Sequence, residues 1–399
     1  MQNQPVFKIE FIAIMALLMS LVALSIDGIL PALAVIGIDL GVTNTKDHQL
    51  LITMIFLGLG LGQLIFGPLS DSYGRKPIIY LGFLVFAIAS IICVNTDSYE
   101  VLIAGRILQG IGLASPRTLS IAMVRDTYEG DYMAKVMSFI VMIFILIPIV
   151  APTLGQFLML TYNWQAIFNV QLILSAFVMF WFWKRQPETL DHSKRIPFKT
   201  AALVSGFKVF FKFKQAVAFT LISGFITGSF MVYLSSTQHI FEVQYGLGED
   251  FPLIFASLAL GVGFATYLNG VFVVKVGMKR IALVSLAGYS LTSLIYVLLF
   301  INKVNPHLWI LLVFFGLQFT SIGFLFGNLR ALAMQPIGHI AGVGAAINGF
   351  ISTVMGVFIA TLIGAFIETT VWPLFLGFTC CGFASIVIFL FIKPLQSTI

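Results

Sequence analysis

Apolar runs of about twenty residues or more follow one another from residue 11 to residue 392, separated by short polar breaks. A helix needs about 20 apolar residues to cross a hydrocarbon core. The pattern places twelve such helices, at roughly 11–33, 49–69, 78–95, 99–124, 134–159, 164–184, 215–238, 251–274, 280–301, 307–333, 341–368 and 370–392. The first run contains Asp27 and is followed by no small-residue cleavage site, so it reads as a membrane helix and not as a cleavable signal.

Composition sharpens this reading. Of 399 residues, 59% are hydrophobic and 10% are charged, where a soluble domain has about 25% charged residues. The expected class is an all-α membrane protein with no room for a soluble domain. Nucleic acid is not the expected partner of the net charge of +6, because the basic residues are sided. Lys8, Arg75, Lys76, Arg125, Lys135, Lys184, Arg185 and most of the others fall on one side of the alternating spans. Only Lys46 and Lys303 fall on the other. The positive-inside rule then places both termini in the cytoplasm.

One break is long, and it divides the chain into residues 1–184, a linker 185–214 and residues 215–399, six spans on either side. The linker stretch "FKTAALVSGFKVFFKFK" mixes Phe and Val with Lys. It reads either as a helix on an anionic membrane surface or as a solvated connection. An internal repeat supports the division. "GPLSDSYGRK" from Gly67 and "GVFVVKVGMK" from Gly270 share Gly67/Gly270, Gly74/Gly277 and Lys76/Lys279, whereas Asp71 and Arg75 become Val274 and Met278. Repeated halves around a midplane site are a transporter architecture. Cys93, Cys380 and Cys381 lie in apolar runs and read as packing residues. The five histidines sit at span ends or loops, so neither a metal nor a cofactor is expected.

Three strongly ionisable residues lie well inside the spans: Asp27, Arg106 and Arg117. An acid at the centre of a membrane helix costs roughly 2.5–3.5 kcal/mol on insertion scales, so Asp27 needs a partner, a proton or a function. Counted from the span ends at 1.5 Å per residue, Asp27 and Arg106 both lie about 10 Å below the outer face. Arg117 follows Arg106 by about 20° beyond three full turns and so shares its helix face. A nearby Arg favours the ionised acid and desolvation favours the protonated one. A conformational change that alters either would load and unload a proton. The structural alternatives are a pair that only neutralises itself and, for Arg117, a side chain that snorkels to the membrane surface.

The motifs resemble those of the major facilitator superfamily, specifically drug:proton antiporters of the bicyclomycin-resistance type, over essentially the whole chain. "GPLSDSYGRKP" resembles the loop between the second and third spans, with Ser72 where a basic residue is usual. "RILQGIGLASPRTLSIAMVRD", Arg106 to Asp126, resembles the fourth-span signature. "APTLGQ" at 151–156 resembles the antiporter motif of the fifth span, with Ala151 and Gln156 replacing two glycines. "NWQAIF" at 163–168, "GNLRALAMQPIGHIAGVGAAING" at 327–349 and Asp27 four residues before Pro31 also fit this branch. Pro148 and Pro152 each remove a backbone donor and bend or weaken the helix. Small residues at 58–62 and 110–115 let helices approach closely.

The resemblance implies a fold of twelve spans in two six-helix bundles related by a pseudo-twofold axis. It implies a conformational latch of Gly67, Asp71, Gly74, Arg75, Lys76, Arg125 and Asp126, in which Arg75 and Arg125 pair with Asp126 or Asp71. It also implies an antiporter motif comprising Pro148, Ala151, Pro152 and Gly155. The first and fourth spans would line a central cavity, making an Asp27–Arg106 pairing, direct or through water or substrate, the economical answer to the buried acid. Further cavity candidates are Gln109, Tyr233, Gln238, Phe319, Phe324 and Asn348. The expected protein is a monomeric, proton-coupled exporter of small amphiphilic compounds in the cell membrane, with Asp27 as the coupling group and no catalytic residues. Two cavity arginines against one acid suggest an anionic or zwitterionic substrate. The runner-up is an importer or uniporter of a small organic anion, and a membrane enzyme would need a nucleophile or His/Asp constellation that the chain does not offer.

Overall fold

The computed structural model describes residues 9–42, 44–197, 200–302 and 304–392. Lys8, Lys199, Lys303 and Lys393 lie outside the described residues. The described chain is helical throughout: α1 (Ile9–Asp27), α2 (Leu33–Asp39), α3 (Thr45–Tyr73), α4 (Arg75–Val94), α5 (Tyr99–Thr127), α6 (Gly130–Thr161), α7 (Gln165–Arg185), α8 (Thr200–Lys212), α9 (Lys214–Gln238), α10 (Phe251–Val276), α11 (Met278–Leu299), α12 (Leu308–Met334), α13 (Ala341–Gly364) and α14 (Trp372–Phe391). Among the described residues, twelve spans are long and apolar enough to cross a membrane, with α1 and α2 together forming the first. No strand occurs among the described residues.

Two spans differ from their sequence pattern. The first does not run as one helix through Asp27. Helix α1 ends on that residue, a 3₁₀ turn follows at Leu30–Ala32, and α2 carries the span on to Asp39. Pro31 lies four residues after Asp27 and has no N–H to give the Asp27 carbonyl, which is enough to interrupt the ladder there. The seventh span does not stop at residue 238, because a π-helical turn, His239–Gln244, prolongs α9 and draws Glu242 into the span.

The chain divides into two compact units, Met1–Asn44 with Met54–Lys199, and Thr45–Thr53 with Thr200–Ile399. In the first, α7 runs beside the first span and is tied to it at both ends. Arg185 Nε and Trp181 Nε1 donate to Glu10 at 2.6 and 3.0 Å, and Trp164 Nε1 donates to Asp39 at 2.9 Å. Helices α3 and α5 cross backbone to backbone: a Cβ on Gly58 would meet the Ile107 carbonyl, and one on Gly110 the Ile55 carbonyl. Small residues at this crossing are therefore obligatory.

The second unit packs aromatic rings and a few polar pairs. Tyr233 meets Phe319 edge to face at 4.5 Å, and Phe230, Phe255 and Phe315 surround them. Asn348 donates to Thr220 at 2.7 Å and Asn328 to Asn269 at 2.7 Å. The opening residues of α3 belong to this unit, where Lys46 pairs with Glu368 at 2.8 Å. Hydrogen bonding by Lys46 holds the Glu368 carboxyl below its ordinary range.

The internal repeat survives in three dimensions. Gly74 and Gly277 stand before α4 and α11 with φ of 101° and 87°, a region costly for any residue with a Cβ. The offset that relates them also carries Ser90 to Ser293 and Phe86 to Tyr289. In both copies the serine hydroxyl donates to the carbonyl four residues earlier, at 2.8 and 3.0 Å. With α5 and α12 aligned on their first residues, Gln109 matches Gln318 and Arg106 matches Phe315. The charge is specific to the first half.

Candidate functional site: a buried acid and a charged turn in the first unit

Asp27 is 6% exposed. The break that follows it is packed against the fifth span: a Cβ on Gly155 of α6 would collide with the carbonyl of Gly28, and Ala151 lies beside the same glycine. The motif glycine therefore seats α6 on the residue next to the acid. Helix α6 continues unbroken through Pro148 and Pro152, and Ala151 is buried. Leu24, Gly28, Ala151, Gly155 and Gln171 line a small crevice there.

Arg106 is fully buried but does not form the direct ion pair with Asp27. Its Nη1 donates to Gln109 Oε1 at 2.8 Å, its Nη2 to the Ser25 carbonyl at 3.0 Å, and its guanidinium stands 5.8 Å from the Phe168 ring centroid. Gln109 Nε2 passes the chain on to the Ser90 hydroxyl at 2.7 Å. A carbonyl two residues before the end of α1 and a side-chain amide thus take the place expected for the carboxylate. Arg106 fixes the end of α1, while Asp27 itself is left outside these bonds. Gln109, expected as a hydrogen-bonding cavity candidate, has both amide ends engaged within the bundle. Arg117 is half-buried on the same helix, about 16 Å further along by the helical rise, outside this cluster.

The turn between α3 and α4 forms a second charged assembly. Arg75 is 3% exposed. Its Nη1 donates to Asp71 and to Ser70 Oγ, at 2.5 and 2.7 Å, and its Nε to Asp126 at 2.8 Å. The expectation of pairing with Asp71 or Asp126 resolves to both. Exposed Arg125 takes no part in an ion pair among the described residues. Gly67 contributes its carbonyl to Ser70 Oγ at 2.7 Å, and the Lys76 side chain lies over Tyr80.

Sequence reasoning missed Glu188. Its carboxylate accepts from the Arg75 and Lys76 amides at 3.0 Å each and from the Thr189 and Leu190 amides at 2.9 and 3.0 Å. An anion on the first amides of a helix satisfies donors that have no intrahelical partner and complements the helix dipole. Thr189 Oγ1 donates to Asp126 at 3.3 Å, and Ser72, the departure from the motif, donates to the Ile196 carbonyl at 2.6 Å. The start of the linker is thereby bound to the charged turn. The available signal was an acid beside Pro187 just past a span, but more than a hundred residues separate it from the start of α4.

Of the candidates in the second unit, Tyr233 and Phe319 are buried in the aromatic cluster and Phe324 is half-buried. Gln238 donates to Glu242, the acid on the π-turn, and His239 Nε2 donates to the Glu368 carbonyl at 2.6 Å. Glu242 also went unnoticed, because the apolar pattern ends before the π-turn.

Twelve spans, a buried carboxylate and a charged inter-helix turn describe a carrier of the membrane-transporter class. The profile of the Major Facilitator Superfamily matches residues 15–360, and the chain belongs to that family. It is a multi-pass membrane transporter, not an enzyme. It is 28% identical over 395 residues to a bicyclomycin resistance protein homolog of Haemophilus influenzae, covering 98% of each chain. It is 29% identical to multidrug resistance protein D of Escherichia coli K12, covering 82% of this chain and 81% of that one. Its fold is similar to that of a D-xylose-proton symporter, with a TM-score of 0.77 at 15% identity over 98% of both chains.

Proposed function

We propose that this transporter exports small amphiphilic compounds across the cell membrane in exchange for inward-moving protons, by alternating access, with both termini cytoplasmic and the monomer as the working unit. The relatives named for bicyclomycin and multidrug resistance support efflux. The observation that carries proton coupling is Asp27, a buried carboxylate at the broken end of α1, whose neighbour Gly28 is packed against Gly155 of the antiporter motif and whose carboxylate takes none of the Arg106 bonds to Gln109 and Ser25. An acid so placed exchanges its proton when the packing of α6 on the break changes its hydration.

Arg106 acts in this scheme as a positioning residue. The expectation of an anionic or zwitterionic substrate accordingly rests on Arg117. The Arg75 network, with Glu188 beneath it, serves as the conformational latch.

The decisive experiment is substrate-dependent proton movement in proteoliposomes, screened over cationic, neutral and anionic compounds. Asp27→Asn is expected to abolish flux driven by a pH gradient while leaving the protein folded. Undiminished gradient-driven flux in that variant refutes the coupling role.

A further inference from the structure

Among the described side chains of helix α8, the buried ones, Gly206 and Phe210, lie on one side. Gly206 faces the start of α13, where a Cβ would strike Val343, and Phe210 is fully buried. Turning around the helix at 100° per residue, the next strip holds Val204, Phe207 and Phe211. Val204 and Phe211 are 56% and 55% exposed, and the rings of Phe207 and Phe211 stack at 6.5 Å. The strip beyond that holds Lys208 and Lys212, both exposed, and exposed Lys214 follows at the start of α9. Protein, apolar stripe and lysines thus succeed one another around the circumference.

We propose that α8 lies in the surface of the membrane, its stripe of Val204, Phe207 and Phe211 among the acyl-chain ends and Lys208, Lys212 and Lys214 on the headgroups of anionic lipids. The occupant follows from position. Only Phe213 separates α8 from the seventh span, about 3.5 Å of chain at most, so the helix cannot leave the level of the bilayer surface. An apolar face held at that level meets lipid, and a lysine near an anionic leaflet contributes about 1 kcal/mol, roughly a fivefold change in occupancy. Because its other face rests on α13, the helix ties the entry of that span to the leaflet.

The test places a photo-crosslinking phenylalanine analogue at Phe211 and, separately, at Val204 in the full chain. The protein is reconstituted into vesicles of phosphatidylcholine alone or of phosphatidylcholine with phosphatidylglycerol. Phospholipid adducts are expected at both positions, with a yield that rises several-fold when phosphatidylglycerol is present. In the triple variant Lys208→Gln, Lys212→Gln, Lys214→Gln that rise should disappear. Using both positions guards against one substitution disturbing the fold. Adducts to protein at both, or no lipid adduct at either, overturn the proposal. A yield indifferent to phosphatidylglycerol overturns its electrostatic half.

Discussion

At the scale of the residue, one position can serve opposite ends according to its neighbours. Arg106 looks from its depth like the counter-ion of Asp27, yet its donors go to an amide and a carbonyl, and it braces the helix end from which Asp27 projects. Phe315 occupies the matching place in the second half, so the brace exists once. Arg117 has a separate test. If it meets an anionic substrate, Arg117→Ala weakens binding of that ligand by about 1.5–3 kcal/mol, the range for a hydrogen bond to a charged group. Arg117→Lys then recovers only part, because an ammonium lacks the planar fork. Equal losses for anionic, neutral and cationic ligands in a binding titration would make Arg117 a structural residue.

At the scale of the element, the contact between α6 and the break after Asp27 is governed by one missing methyl group. A methyl added at Gly155 has no space, and over-packing a tight contact costs about 1–3 kcal/mol. Gly155→Ala is therefore expected to lower the melting temperature of the purified protein and to slow transport. The same change at Gly261, where nothing lies within 4 Å of the added atom, should leave melting unaltered. Equal melting of the two variants would show that the break in α1 yields freely. The early end of α1 was half legible: Pro31 announces a break, but the 3₁₀ turn and the resumption as α2 depend on what packs against residues 28–33.

At the scale of the whole molecule, the connection between the halves is not a free tether. Residues up to Ile196 are bound to the charged turn of the first unit, and α8 rests on α13 in the second. Glu188 holds the first piece with four backbone amides on one carboxylate. Glu188→Gln keeps the shape but replaces an acceptor oxygen with a donor; Oε1 accepts from Arg75, Thr189 and Leu190 and Oε2 from Lys76, so at least one of the amides that start α4 loses its partner. Limited trypsin digestion is expected to cleave after Lys194 and Arg195 several-fold faster in this variant, releasing the halves as two fragments. Wild-type cleavage rates in the variant would mean that Ser72 and Ile196 hold the strap unaided.

The sequence by itself determined what hydrophobicity and local stereochemistry determine: twelve spans, the glycine turns at 74 and 277, and the presence of a costly acid at 27. Each depends on residues close together in the chain, or on a transfer free energy that accrues along a single segment. The tertiary structure alone decided which polar groups meet. That Arg106 turns to Ser25 and Gln109, that Arg75 binds Asp71 and Asp126 together, and that Glu188 caps a helix more than a hundred residues away are choices among several partners at similar depth. Only the packed backbone, with its carbonyls and amides placed to within a few tenths of an ångström, selects among them, because a hydrogen bond is lost over a smaller displacement than any residue pattern can specify.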